Sequence, residues 1–283
     1  MNINIGLGTA QFGGRYGIRS KSISEANKKI LLNSYVNSQT LPLIDTSHEY
    51  GSALEFIGAN AHITRHAKIC YKFRHMTRRQ ILDDFDKMEK TKIYCAMFHE
   101  GESIASHREL YDTLQRLKYQ GRIEKIGASF YDPDSLRSLI SQNIVPDILQ
   151  FPVNFFDHRF VGPCNSELCN DLKKKGVEIH GRSLFLQGVI LQDPQRLPTY
   201  FDQFRTHLGR CANVWINRTL NPVYACLDYA AKMKIDYVII GFENALQLQD
   251  VVRWQRERPI KELSYKQFKS PSVGLIDPRK WVL

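Results

Sequence analysis

Asp45 and Tyr50 lie in Leu43-Ile44-Asp45-Thr46-Ser47-His48-Glu49-Tyr50-Gly51, a short apolar run that passes into a polar loop. Lys72 closes a second such run, Lys68-Ile69-Cys70-Tyr71-Lys72-Phe73, and His99 closes a third, Ile93-Tyr94-Cys95-Ala96-Met97-Phe98-His99. A carboxylate, a phenol, an ammonium and an imidazole thus follow one another at the C-terminal ends of three successive candidate strands. Such a set can deliver a proton to an oxygen that is gaining negative charge, as when a carbonyl accepts a hydride. A free phenol is a poor acid at neutral pH, with a pKa of about 10. A neighbouring ammonium stabilises the phenolate, and each unit of lowering is worth about 1.4 kcal/mol. In this scheme Lys72 supplies the charge, Asp45 holds Lys72, and His99 donates a hydrogen bond that polarises the carbonyl.

Each residue alone has a plainer reading: a surface lysine, a capping aspartate, a satisfied histidine. His48 and Tyr71 stand close by as decoys. The placement of all four at consecutive strand ends is what favours chemistry, provided the strands converge.

The rest of the chain supplies that convergence. Apolar or β-branched runs at 3–10, 42–46, 68–73, 92–98, 123–129, 147–152, 177–184 and 236–241 alternate with helical patterns. Thr77-Arg78-Arg79-Gln80 has capping-box spacing, followed by Ile81, Phe85 and Met88 along one helical face. Leu110, Leu114 and Leu117 repeat the pattern, and Gly121 marks its end. Asp132-Pro133 and Asn221-Pro222 each put a capping side chain before a proline at the first helical position. Eight strands separated by helices predict a (β/α)8 TIM barrel, read as a single domain over residues 1–283, whose strand ends form one reactive face. The irregular stretch from about Gln187 to Asn213 is predicted as a lid over that face, with a disordered excursion as the alternative.

Composition narrows the classes. With 43% hydrophobic residues, the 283-residue chain can bury a large core, and no apolar segment approaches the roughly 20 residues of a membrane span. The stretch Met1-Asn2-Ile3-Asn4-Ile5-Gly6 lacks a charged-then-apolar leader pattern, so a cytoplasmic location without membrane attachment is expected. The net charge of +10 favours anionic ligands, but the basic residues are dispersed and no nucleic-acid-binding motif accompanies them. Nucleic acid is therefore not the expected partner. The six cysteines form no CxxC pair, and the spacing of Cys164 and Cys169 is a weak zinc signal, so no metal is expected. Gly6-Leu7-Gly8-Thr9-Ala10-Gln11 begins like a dinucleotide fingerprint but lacks its third glycine, and it reads as strand and loop geometry.

The ordered set Asp45-x4-Tyr50-Gly51, Lys72, His99, Gly127-Ala128-Ser129, Gln150-Phe151-Pro152-Val153-Asn154 and Gly241 resembles the aldo-keto reductases over nearly the whole chain. The resemblance implies an NAD(P)H-dependent oxidoreductase on a TIM barrel, acting on a small-molecule aldehyde, ketone or sugar-derived carbonyl. It gives Tyr50 the role of general acid, supported by Lys72, Asp45 and His99. It also implies that Ser129 and Gln150 hydrogen-bond the nicotinamide carboxamide. Arg182 falls where many members place a tyrosine that stacks on the nicotinamide, while Ser183, Leu184 and Gln187 approach the pyrophosphate. Gly241, Glu243, Asn244, Gln247 and Asp250 correspond to the adenosine end, although Asn244 also suits an ordinary helix cap. Val177–Gly188 and the tail Leu275–Trp281 resemble a bacterial subgroup associated with surface-polysaccharide and glycan gene clusters.

The sequence departs from the family pattern in three places. Gln247 stands where some members carry an arginine for the 2′-phosphate, with Glu243 adding negative charge, yet family habit and net charge favour NADP(H) over NAD(H). Phe130 replaces an asparagine that often follows the serine. The N-terminal hairpin that closes the barrel floor in many relatives is expected to be absent. Two other readings stay open: a nucleotide-binding barrel serving as a regulatory or scaffold subunit, and a nucleotide-sugar enzyme with a tightly held cofactor.

Overall fold

The computed structural model describes residues 3–18, 22–161, 166–257, 263–270 and 272–282. Eight strands lie in it: β1 (Asn4–Gly8), β2 (Leu43–Ser47), β3 (Lys68–Phe73), β4 (Ile93–Phe98), β5 (Ile123–Ser129), β6 (Ile148–Pro152), β7 (Glu178–Arg182) and β8 (Tyr237–Ile240). All pair in parallel, each with its neighbour in the chain, and β1 pairs with β8 to close the barrel. Every residue of β2 and β4 is buried, because one face of each strand meets the barrel interior and the other meets the helices. That double burial is why these strands read as apolar runs.

Ten α-helices accompany the strands among the described residues: α1 (Glu25–Ser38), α2 (Ala53–Ala59), α3 (Arg78–Lys87), α4 (Arg108–Tyr119), α5 (Pro133–Ser141), α6 (Ser166–Lys174), α7 (Arg205–Asn217), α8 (Pro222–Lys232), α9 (Ala245–Glu257) and the single turn α10 (Val273–Ile276). The expected caps are in place. Thr77 and Gln80 form a reciprocal capping box on α3, and Asp132 and Asn221 accept the first free N–H groups of α5 and α8 ahead of their prolines. None of the described helices is long and apolar enough to cross a membrane. Only Ile3 precedes β1 among the described residues, and no hairpin lies under the barrel floor there.

The stretch predicted as a lid is instead a packed wall. Short 3-10 turns at Leu186–Leu191, Pro194–Arg196 and Thr199–Phe204 run directly into α7. Leu186, Val189, Ile190, Phe201, Phe204 and Leu208 are buried, and this anchorage removes the freedom a lid would need. The tail packs on the same rim, with Trp281 edge-on to Phe201 and its indole N–H donated to the Gly274 carbonyl at 3.1 Å.

Candidate active site

The β2–β3 register sets Ser47 beside Lys72, one pleat beyond Asp45 and Cys70, so both Asp45 and Lys72 turn into the barrel near its C-terminal rim. Lys72 Nζ donates to Asp45 Oδ1 at 2.7 Å and to Gln150 Oε1 at 3.2 Å, and Gln150 Nε2 donates to Asp45 Oδ2 at 2.8 Å. The three side chains form a closed triangle with exposures of 2% for Asp45, 3% for Lys72 and 0% for Gln150. A buried ion pair is tolerable only when its remaining lone pairs and protons are satisfied, and Gln150 satisfies them. Burial drives the Lys72 ammonium towards neutrality, but Asp45 and Tyr50 outweigh it and hold its pKa above the ordinary lysine value.

Tyr50 sits in the turn that follows β2, its N–H donated to the Ser47 carbonyl at 3.1 Å. Two glycines fix that turn. A Cβ on Gly13 would lie 1.6 Å from the Tyr50 carbonyl oxygen, and Gly51 has φ +51°, so the β1–α1 loop lies directly on the tyrosine's backbone. Lys72 Nζ stands 5.4 Å from the centre of the Tyr50 ring and interacts with its phenol. The expected lowering of the phenol pKa by Lys72 is present, but desolvation is the larger effect and the net direction is upward. Tyr50 is therefore held as the protonated acid at neutral pH.

His99 lies edge-on to Tyr50 with ring centres 6.1 Å apart. Burial first, then the cations Lys72, Arg74 and Arg182, lower its pKa to about 2 and keep the imidazole neutral. Its Nδ1 is 2.8 Å from Glu49 Oε2, and Glu49 Oε1 accepts from Arg74 Nε at 3.2 Å. A carboxylate oxygen accepts from an imidazole N–H, so this contact suits the tautomer with its proton on Nδ1 and a lone pair on Nε2. In that tautomer Nε2 faces outward as an acceptor, the reverse of the donor role expected for His99. The decoys are accounted for, since His48 and the Tyr71 hydroxyl both bind Asp84 on α3 at 2.6 Å, outside the barrel.

From Asp45, Tyr50 and Lys72 a groove of about 360 Å³ runs past Arg182, Ser183, Leu184 and Gln187 to Gly241, Glu243, Gln247 and Asp250. Eleven of the fifteen residues expected at the site line it; His99, Ser129, Gln150 and Asn244 do not. Ser129 is buried and accepts from Arg182 Nε at 3.3 Å. Gln150, expected at the carboxamide, has its oxygen and an N–H committed to Lys72 and Asp45. Asn244 Oδ1 accepts the Gln247 N–H at 3.0 Å and so caps α9.

Four contributors were missed by the sequence reading. Glu49 orients His99. Tyr131 is gripped between guanidiniums, with Arg182 at 3.9 Å and Arg279 of the tail at 3.8 Å from its ring centre, so one face of Arg182 is already covered. Tyr16 and Gln11 line the groove, and Gln11 Oε1 is buried with no hydrogen-bond partner among the described residues. A signal existed only for Gln11, which lies in the glycine-rich run dismissed as loop geometry. Cys70, Cys95, Cys169, Cys211 and Cys226 are buried free thiols, whereas Cys164 lies outside the described residues.

Parallel strands closing into a barrel, with this ordered set on its rim, agree with a family match: the aldo/keto reductase family model covers residues 4–271. The chain belongs to the aldo/keto reductase family. Among solved structures, this aldo/keto reductase is similar to a Pseudomonas aeruginosa protein named as an aldo-keto reductase, at 20% identity and TM-score 0.64 over 89% of this chain and 88% of the other. It is also similar to the glycerol dehydrogenase of Gluconobacter oxydans, at 15% identity and TM-score 0.68 over 93% and 88% of the two chains. An aldo-keto reductase of Bacillus halodurans in its holo form matches at 16% identity and TM-score 0.66 over 94% and 89%. At such identities the structural likeness speaks for the fold. No curated protein matches the sequence.

Proposed function

We propose that this aldo/keto reductase reduces an aldehyde, ketone or sugar-derived carbonyl with a nicotinamide dinucleotide, Tyr50 supplying the proton. The observation that carries the reading is the Tyr50 phenol, held protonated beside the Lys72–Asp45–Gln150 triangle at one end of a long groove.

The groove's own residues suit a dinucleotide. Gln11 Oε1 is an unsatisfied acceptor on its wall, awaiting an N–H or O–H. A Cβ on Gly241 would lie 2.0 Å from that oxygen, so glycine there is what lets the Gln11 amide lie against the end of β8. Arg182, Ser183 and Gln187 would hold the middle of the molecule, and Glu243, Gln247 and Asp250 its adenosine end. When bound, the dinucleotide supplies a hydride to the carbonyl carbon.

The protein's residues handle the oxygen. As that oxygen gains charge it takes the Tyr50 proton, giving an alcohol and a phenolate that the Lys72 ammonium stabilises. Asp45 and Gln150 keep Lys72 charged and in place. His99 stands edge-on behind the Tyr50 ring. The resemblance of Val177–Gly188 and the tail to the surface-glycan subgroup favours a hydroxylated, sugar-derived carbonyl.

The test is direct. Purified protein is mixed with NADH or NADPH and a panel of simple aldehydes, ketones and keto or aldehyde sugars, and loss of reduced-nicotinamide absorbance is followed. Stoichiometric alcohol formation on at least one class is expected. Saturable dinucleotide binding with no turnover on any carbonyl would instead favour a scaffold role.

A further inference from the structure

We infer that Asp84, on α3 outside the barrel, is a positioning residue that sets Tyr50 and Lys72 in their mutual geometry. It does so by gripping the chain next to each of them, through His48 and Tyr71. This rests on the reading above, in which Tyr50 gives up its proton beside the Lys72 ammonium.

Strand alternation puts Tyr71 and Lys72 on opposite faces of β3. Lys72 turns into the barrel, while Tyr71 turns out towards α3, buried, with its ring edge-on to Phe85 and the ring centres 5.8 Å apart. The Tyr71 hydroxyl donates to Asp84 Oδ2 at 2.6 Å. The β2–β3 ladder runs one residue past the end of β2, because the His48 N–H is donated to the Lys72 carbonyl at 3.0 Å. From there the His48 imidazole reaches the same carboxylate oxygen, with Nδ1 2.6 Å from Asp84 Oδ2. A carboxylate oxygen accepts, so the contact suits a proton on Nδ1. One oxygen atom thus holds the residue just before Lys72 and the residue two positions before Tyr50. The other oxygen of Asp84 meets Lys87 Nζ at 3.0 Å.

Docking α3 onto the barrel does not require this carboxylate. Ile81, Phe85 and Met88 are buried and seat the helix by themselves, whereas burying Asp84 takes a charged group out of water. What the carboxylate adds is direction. Apolar burial is non-directional, while two short hydrogen bonds to one atom fix distances and angles. His48, Tyr71 and Asp84 do not line the groove, so they act through the backbone they hold. On the other side of the same loop, Gly13 lies against the backbone of Tyr50 and Gly51. The loop is therefore fixed from both sides, with Lys72 Nζ kept 5.4 Å from the centre of the Tyr50 ring. Reacting groups displaced by about 1 Å can lose roughly 10²-fold in rate, which makes this grip matter to turnover.

The experiment is steady-state kinetics of the full chain on a carbonyl it reduces, in wild type, His48→Ala, His48→Asn and Tyr71→Phe. Dinucleotide titration and thermal melting are run on the same preparations. The His48 side chain is 44% exposed, so its variants should fold. His48→Ala should lower kcat by about ten- to a hundred-fold, while the carbonyl KM and the dinucleotide Kd stay within about two-fold. His48→Asn places an amide N–H where the Nδ1–H stands and should restore most of kcat. Tyr71→Phe keeps the ring, loses the hydroxyl, and should lower kcat in the same selective way. Wild-type kcat in either His48→Ala or Tyr71→Phe overturns the inference. So does a loss that His48→Asn fails to restore, or one matched by falls in dinucleotide affinity and melting temperature, the mark of a general structural role. Saturable dinucleotide binding by wild type without turnover of any carbonyl removes the reductase reading itself, and the inference with it.

Discussion

Glu49 Oε2 and His99 Nδ1 lie 2.8 Å apart, a carboxylate against a buried imidazole whose pKa is driven far down. The pair sets which imidazole nitrogen carries the proton beside Tyr50. Arg74 bridges Glu49 to Glu100, contacting them at 3.2 and 3.3 Å, which holds the carboxylate in position from behind.

Replacing Glu49 with alanine should free the imidazole to change tautomer. A neutral hydrogen bond is worth about 1 kcal/mol, so kcat/KM on a hydroxylated substrate should fall by roughly five- to ten-fold. Dinucleotide affinity should stay as it was. Imidazole nitrogen chemical shifts in labelled wild type should report the Nδ1–H form; an Nε2–H form would show that Glu49 has no such role.

The Asp45–Lys72 pair makes a stability prediction. Lys72→Met leaves a buried carboxylate uncompensated and should cost about 3–5 kcal/mol in chemical denaturation. Asp45→Asn combined with Lys72→Met should recover a sizeable part of that loss, because no lone charge remains. A double variant as unstable as the sum of its singles would mean that the two side chains act independently.

At the opposite end of the barrel interior, His180 gives a pH dependence. Burial pushes its pKa down, but contacts with Cys70 and Glu178 outweigh it and hold the value at about 9. Its Nε2 lies 2.7 Å from Glu178 Oε1, and Tyr94 and Lys125 also donate to Glu178. A histidine with a raised folded pKa binds a proton more tightly when folded. Its stabilisation is therefore complete below the unfolded value of about 6.5 and is lost as pH rises through about 9. The melting temperature should fall over that window in wild type and fall less in His180→Gln. Equal slopes in the two proteins would count against a charged His180.

Much of this was legible in the sequence, and the exceptions share a cause. All eight strands were readable to within a residue or two because double burial writes them as apolar runs. Asp45, Tyr50, Lys72 and His99 were readable because their types are unusual together at strand ends. The contacts of Gln150 with Lys72 and Asp45 were not readable, because its partners come from across the barrel and pairing over such a separation leaves no local trace. Glu49 was passed over because the loop that turns it onto His99 takes its shape from the contact between Gly13 and Gly51. The grip on Tyr131 needs Arg279 from the tail, and the supposed lid is pinned by scattered core contacts. Long-range packing decides all of these.

The central claim is that Tyr50 delivers the proton, and Tyr50→Phe tests it with the ring and its packing kept. Turnover and dinucleotide affinity should be measured side by side on the same preparation. The account predicts a fall in kcat of about 10²- to 10⁴-fold with an unchanged dinucleotide Kd. A variant that turns over within a few-fold of wild type would contradict it.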